Sequence, residues 1–446
     1  MRYLPLDADD RASMLHRIGA GSIDDLFADI PADKRLAGDV ALPRAMSEMA
    51  VERAMSALAG KSRAAGSMAS FLGAGAYRHH VPASVDHLIQ RSEFLTSYTP
   101  YQPEIAQGTL QMLFEFQTQV AQLTGMEVAN SSMYDGSTAA LEAVNMAHRL
   151  TGRSKAVLSG GLHPHYADTI ATFASLSGHC IDRRPLDPAG DEDLASAIDA
   201  ATSAIVVQSP DVFGRPRDLA ALAKAAQAKG ALLITVTTEA LAFAALEPPG
   251  ALGADIVVAE GQSFGNSVNF GGPYVGLFAT RQKFVRQMPG RLAGETVDSD
   301  GKRAFVLTLS TREQHIRREK ATSNICTNSG LCALAASIHL TLLGGAGLER
   351  LAALNHANAV DLAERLCAVP GVSLVNDSFF NEFTLRLPRD AADVVEELVS
   401  DKVLAGVPVS RLAPGAGLDD LLIVACTELN SPEERAAFAA ALASRL

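Results

Sequence analysis

Positive charge is in short supply in this chain. Lys and Arg total 38 against 50 Asp and Glu, a formal net charge of −12. No stretch gathers basic residues with aromatics. A surface of that sign repels nucleic acid and anionic membrane. Cysteine is also scarce. Cys180, Cys326, Cys332, Cys367 and Cys426 are scattered, odd in number and never in CxxC spacing. That argues against a disulfide framework or a zinc site and for reduced thiols in a cytosolic compartment. The amino terminus, MRYLPLDADD, turns acidic at once and has no apolar segment of the kind a signal peptide needs. The longest apolar stretch, Leu331 to Leu348, is interrupted by Ser337, His339 and a Gly-Gly pair. It is too broken for a membrane span and is expected to be a buried helix. Internal repeats and low-complexity linkers are absent.

What is present is apolar material for a large core. The 446 residues are 48% hydrophobic, enough for one large domain and at least one smaller one. Residues 1–70 read as helical, with Asp9 and Ser22 as caps and apolar spacing of three and four over 46–59. From about 109 onward, helices and strands alternate. TLQMLFEFQTQVAQLTG carries Leu110, Leu113, Phe114, Val120 and Leu123 at helical spacing, with Gly125 where a C-cap belongs. The runs 156–160, 204–209, 231–236 and 255–259 are short and apolar, each after a helical segment. That pattern predicts a mostly parallel sheet in an α/β domain over 71–330. Beyond 330 the order changes to two helices, strands near 372–376 and 382–387, a helix at 390–401, a strand at 421–426 and a last helix. Residues 331–446 therefore read as a small α+β domain.

The most distinctive segment is 96–108, TSYTPYQPEIAQG. Pro100 and Pro103 each fix their own φ and push the preceding residue towards extended geometry. The loop is stiff, and it carries Tyr98, Tyr101, Gln102 and Glu104 just ahead of a helix. Such a loop either places polar groups around a small ligand or is a well-packed turn.

With FLGAGAYRHHVP (71–82) and REKATSNICTN (318–328), this segment resembles the P-protein of the glycine cleavage system over essentially the whole chain, specifically its amino-terminal half. The resemblance implies the aspartate aminotransferase-like, fold-type I layout of pyridoxal-phosphate transferases. It also implies a subunit 1 working with a separate subunit 2 as two copies of each. Glycine would be decarboxylated, and its aminomethyl group would pass to the lipoyl arm of the H-protein. Tyr98, Tyr101, Gln102 and Glu104 would be presented to the partner's active site. Arg78, His79 and His80 are candidates for glycine's carboxylate or the lipoyl access, with interface salt bridges as the other reading. Arg318, Lys320 and Asn324 are similar candidates, or else pack and cap.

That fold holds its cofactor with four parts: a phosphate loop at a helix start, a ring-stacking group, an acid on the pyridine nitrogen and a Schiff-base lysine. The loop 130–138 opens a helix and offers Ser132 and backbone amides to an anion, but Asp135 in its middle would repel a phosphate. A capped helix is the alternative. His163 stands where the fold places a ring-stacking group, or it lines a polar turn. Thr237 stands where the pyridine acid belongs, and a hydroxyl cannot hold that proton as a carboxylate does. Gln262 and Ser263 stand where the other subunit carries His-Lys, and no lysine lies between Lys229 and Lys283. Without an amine no Schiff base forms. The expectation is a degenerate cofactor site, with pyridoxal phosphate held by subunit 2 and not covalently by this chain. A self-sufficient decarboxylase or aminotransferase would need a lysine near 263. A non-catalytic structural or regulatory paralogue is the remaining alternative.

Overall fold

Acidic residues set where the first helix begins. In the computed structural model, α1 (Ala8–Ile18) is capped by Asp7, whose carboxylate accepts the N–H of Asp9 and Asp10 while Asp10 accepts that of Asp7. The cap lies two residues before the expected Asp9, because Asp9 and Asp10 sit in the first turn, where negative charge favours the helix dipole. Ser22 accepts the N–H of Asp25 but starts only a short 3-10 turn, Asp24–Phe27. A second helix, α2 (Glu48–Ala59), is capped by Ser47. Neither α1 nor α2 contains a buried residue. The structure describes residues 6–36, 38, 40–96, 98–269 and 271–446. Met1–Pro5 of the amino-terminal segment and Ser97 of segment 96–108, both named in the sequence analysis, lie outside them. The chain divides into two units, Met1–Arg63 and Ala64–Leu446.

The second unit is built on strands that are buried on both faces. β1 (Val128–Ala129), β2 (Lys155–Leu158), β3 (Cys180–Arg183), β4 (Thr202–Gln208), β5 (Leu232–Thr237), β6 (Ile256–Glu260) and β7 (Gly276–Thr280) form one sheet in the order β1-β7-β6-β5-β4-β2-β3. Every residue of β4 and β6 is buried. That is why these strands read as continuous apolar runs instead of alternating ones. The pairs from β3 to β6 are parallel, and β7 runs antiparallel to both its neighbours. The expected α/β class with a mostly parallel sheet is thus the observed one. Among the helices packed on the sheet are α3 (Gln107–Thr124), α4 (Gly136–Thr151) and α5 (Pro164–Ser177). α3 ends at Gly125, which adopts φ 66°. β3 carries no apolar run (Cys-Ile-Asp-Arg), since it is a half-exposed edge strand. The hairpin of β8 (Leu292–Val297) with β9 (Arg303–Thr308) was not among the expected strands, although Asp300-Gly301 and the run Ala304–Leu307 mark it.

The long helix α6 (Gly330–Cys367) leads out of the large sheet. Gly344 breaks it at φ 60°, ψ 178°, so the expected pair of helices is present as one bent element. By length and composition α6 is apolar enough to cross a membrane. Here its Ala333–Ala336, Leu340, Leu362 and Leu366 are buried in the protein. Beyond it, β10 (Ser373–Leu374), β11 (Glu382–Arg386), β12 (Val407–Pro408) and β13 (Leu421–Ala425) make an antiparallel sheet in the order β10-β11-β13-β12. With α7 (Ala391–Leu398) and α8 (Pro432–Ala443), it closes over Phe71, Leu362, Phe383, Val424 and Phe438.

The turn after β4 joins the two sheets. The carbonyl of Phe213 accepts from Asn376 Nδ2 and Thr384 Oγ1. Gly214, at φ 97°, lies so close to β11 that a Cβ there would be 2.1 Å from the carbonyl oxygen of Glu382. Both the dihedral and the approach demand glycine. Gly214→Ala should therefore cost on the order of 2 kcal/mol or more, read as a lower denaturation midpoint. An unchanged midpoint would show that the turn moves freely.

Candidate functional site

In open α/β sheets, ligands bind at the carboxyl ends of the parallel strands. Here that place is filled by the chain's own side chains. At the start of α4, Asp135 accepts the N–H of Thr138 at 2.9 Å and the hydroxyl of Ser137 at 2.6 Å. Glu260, at the end of β6, accepts the N–H of Gly136 at 2.9 Å. The amides that an external anion would use are already bonded to carboxylates. Burial pushes Glu260 up to about 7. Ser132, held at φ 100°, accepts the N–H of Ser329 at 3.1 Å.

His163, Thr237 and Gln262 are bonded internally as well. His163 caps α5, and its Nε2 lies 3.0 Å from the carbonyl oxygen of Ala74. Burial pushes its imidazole down to about 4, so the ring is neutral at pH 7. Thr237 donates to the carbonyl of Ser209 at 2.9 Å. Gln262 accepts the N–H of Tyr77 at 3.0 Å and donates to the carbonyl of Asn266 at 2.6 Å. Ser263 is buried beside the carboxylate of Glu239. These groups do not fit a covalently held pyridoxal phosphate: there is no amine, and the anion-binding amides are occupied.

Loop 71–80 closes over this end of the sheet. Tyr77 donates its hydroxyl to Glu382 at 2.8 Å, and burial pushes that carboxyl up to about 7. His79 is fully enclosed between two acids. Its Nε2 is 2.9 Å from Glu239, just after β5, and its Nδ1 is 2.9 Å from Glu428, just after β13. Asn381 donates to Glu239 and Asn355 to Glu428. Burial alone would lower the imidazole. The charge and hydrogen bond of Glu239, then those of Glu428, outweigh it and raise His79 to about 10. Burial would likewise raise Glu428, but the bond to His79 brings it down to about 2. His79 is an imidazolium with both nitrogens used inside this chain. His80 is exposed and offers its N–H to Glu428, while Arg78 is half-buried and accepts the Thr427 hydroxyl at its carbonyl.

A second cluster stands apart from these contacts. Tyr98 and Tyr101 are 78% and 61% exposed, and Gln102 and Glu104 are exposed around the short turn Pro103–Ile105. Tyr98 and Pro100 line a cavity of about 70 Å³ with Phe94, Met112 and Asn328. The Tyr101 hydroxyl accepts from Arg291 Nη2 at 3.3 Å. The same nitrogen donates to the carbonyl of Cys326 at 2.9 Å. The motifs 96–108 and 318–328 are therefore brought together, but through Cys326, Thr327 and Asn328. Arg318, Lys320 and Asn324 of that motif are exposed. Tyr134 accepts the N–H of Cys326 at 2.8 Å, tying in the loop before α4. Sequence reasoning passed over Arg291, Glu428, Glu382 and Glu260, none of which lies in a recognisable motif. The one local hint was a charged residue inside an apolar segment, as with Arg291 ahead of Leu292 and Ala293.

Comparison with known proteins adds a further set of observations. A family model described as glycine cleavage system P-protein matches residues 1–434. A Xanthobacter autotrophicus protein described as probable glycine dehydrogenase (decarboxylating) subunit 1 is 69% identical over 445 residues, 99% of each chain. A protein of the same description from Beijerinckia indica is 66% identical over 446 residues, the whole of both chains. A crystal structure of glycine decarboxylase (P-protein) of the glycine cleavage system, in inhibitor-bound form, aligns over the whole of both chains with a TM-score of 0.91 and 42% identity. Lactobacillus brevis glutamate decarboxylase aligns over 93% of this chain and 96% of its own, with a TM-score of 0.67 and 13% identity, a likeness of fold. The fold is the expected fold-type I layout.

The enclosed imidazolium yields a pH-dependent prediction. His79 is raised from 6.5 to about 10, so its stabilisation is complete below about 6.5 and fades as the pH climbs towards 10. Glu428 is lowered from 4.5 to about 2, so its part is complete above about 4.5 and is lost as the pH falls towards 2. His79→Ala leaves two buried carboxylates without their cation and should cost about 3–5 kcal/mol where the pair is intact. In urea denaturation, the gap between wild type and variant should be widest near pH 4.5–6.5 and narrow on either side. A gap independent of pH would mean that the imidazole is neutral.

Proposed function

This chain belongs to the glycine cleavage system P-protein family, and we propose that it works there as subunit 1 of glycine dehydrogenase (decarboxylating), paired with a separate subunit 2. In this reading the pair decarboxylates glycine and passes the aminomethyl group to the lipoyl arm of the H-protein, in the cytoplasm, as two copies of each subunit. Pyridoxal phosphate is held by subunit 2. The observation that carries the reading is Ser263, a buried hydroxyl beside Glu239 in the place of a Schiff-base amine. The relatives named above match over their whole length, which supports a working enzyme subunit over a non-catalytic paralogue.

The part of this chain in the reaction is then positional. Tyr98, Tyr101, Gln102 and Glu104 face the partner's active site from a backbone stiffened by Pro100 and Pro103. Arg291 donates to the Tyr101 oxygen, which leaves the phenolic proton to be given to a carboxylate or phosphate. Arg78, His80, Arg318, Lys320 and Asn324 are second candidates, for contacts with subunit 2 or with an anionic group. His79 leaves that set, because both its nitrogens are committed to Glu239 and Glu428. The test of the reading is co-expression with subunit 2 and measurement of glycine–bicarbonate exchange with lipoylated H-protein. A purified, assembled pair without exchange would overturn it.

Two narrower outcomes are expected. The isolated chain, treated with pyridoxal phosphate and borohydride, should show no reduced adduct at a specific lysine in its mass spectrum. Tyr98→Phe and Tyr101→Phe should each assemble with subunit 2, change stability by no more than about 0.5 kcal/mol and lower decarboxylation about 10²–10⁴-fold. Turnover at the wild-type rate in both would make the loop structural.

A further inference from the structure

Arg291 belongs to none of the motifs that drew attention to the sequence, yet three of them meet on it. Its side chain is 4% exposed. Nη2 donates to the carbonyl of Cys326 at 2.9 Å and to the hydroxyl of Tyr101 at 3.3 Å. Nη1 lies 3.4 Å from Thr99 Oγ1, Thr327 Oγ1 and Asn328 Oδ1. Nε lies 3.4 Å from Glu313, which supplies the counter-charge. The guanidinium carbon is 5.4 Å from the centre of the Tyr101 ring. Through its backbone carbonyl, Arg291 also accepts the N–H of Ser131, in the loop that opens α4. Burying a cation is costly unless its donors are satisfied. Here the donors are spent on segments 99–101 and 326–328.

We infer that Arg291 is a positioning residue for the reaction: its planar fork sets the Tyr101 hydroxyl against segment 326–328 in one arrangement, ready for the partner's active site. The inference rests on the reading of Tyr101 as a residue of that site. A guanidinium suits the task because its donors point in fixed, divergent directions. A lysine ammonium in the same place is a point donor and cannot span Cys326, Tyr101 and Glu313 together. The interaction with the Tyr101 ring face is also stronger for arginine.

The experiment is a double-mutant cycle in the assembled complex with subunit 2. Arg291→Lys, Tyr101→Phe and the double variant are assayed for kcat and KM with glycine, and amide hydrogen exchange is followed by mass spectrometry. Arg291→Lys should lower kcat about 10–10²-fold while the KM for glycine stays within about threefold. Exchange should rise in both 98–106 and 322–329. If Arg291 acts through Tyr101, the double variant should be no more than about twofold slower than the slower single one. Losses that multiply, or exchange unchanged in either segment, would overturn the inference. Should Tyr101→Phe be slowed and Arg291→Lys turn over normally, the inference fails while the functional reading stands. Should both turn over normally although exchange rises, the reading of the loop as a site fails, and the inference with it. If Arg291→Lys does not assemble, Asn328→Ala removes one acceptor of the same guanidinium and takes its place in the cycle, with the same outcomes deciding.

Discussion

The carboxylate–imidazolium–carboxylate bridge of Glu239, His79 and Glu428 is the contact on which the arrangement of the second unit depends. It joins the end of a parallel strand, loop 71–80 and the segment just after β13, an interior strand of the small antiparallel sheet, at one buried point. Removing water from two acids is expensive, and a lone buried carboxylate would protonate or pull its surroundings open. A single shared cation with both nitrogens engaged resolves this for both acids at once. The neighbouring pair, Tyr77 and Glu382, repeats the pattern with a phenol as donor. Burial pushes Glu382 up to about 7, and the phenol of Tyr77 is the donor that holds its carboxyl in place.

At the end of the large sheet, too, most of the polar groups are bonded within the chain. The amides of Gly136 and Thr138 are satisfied by Glu260 and Asp135, and Gln262 is bonded to Tyr77 and Asn266. A fold that elsewhere holds a cofactor is here locked by its own side chains. The polar residues left available, Tyr98, Gln102, Glu104, Arg318, Lys320 and Asn324, are on exposed loops. A bonded interior beneath exposed loops is the division of labour that the proposed pairing with a subunit 2 calls for. Arg291 bridges the two tiers, since it is buried but its donors reach Thr99, Tyr101 and Cys326.

Much of this was legible in the chain itself, because the signals are local. The strands β2, β4, β5 and β6 are short apolar runs, and burial on both faces requires that composition. The missing lysine near 263 is a property of a few consecutive residues, and so is the stiffness that Pro100 and Pro103 impose. Gly125 after an amphipathic run marks a helix end by its own dihedral. Edge and hairpin strands were the failures: β3 and β8 lack an apolar run, and the run Ala304–Leu307 in β9 falls outside the helix–strand alternation that marked the others.

By itself, then, the sequence determined the class of fold, the absence of a Schiff-base amine and the stiff tyrosine loop. Tertiary structure alone decided who meets whom. His79 finds its acids 160 and 349 positions away, and Arg291 reaches Tyr101 across 190. Nothing in the local composition around any of these residues encodes those distances. They follow from how the strands are ordered and where the small sheet closes. The charge state of His79 comes from that enclosure too, because the two carboxylates that meet it there outweigh the effect of burial and favour the protonated form.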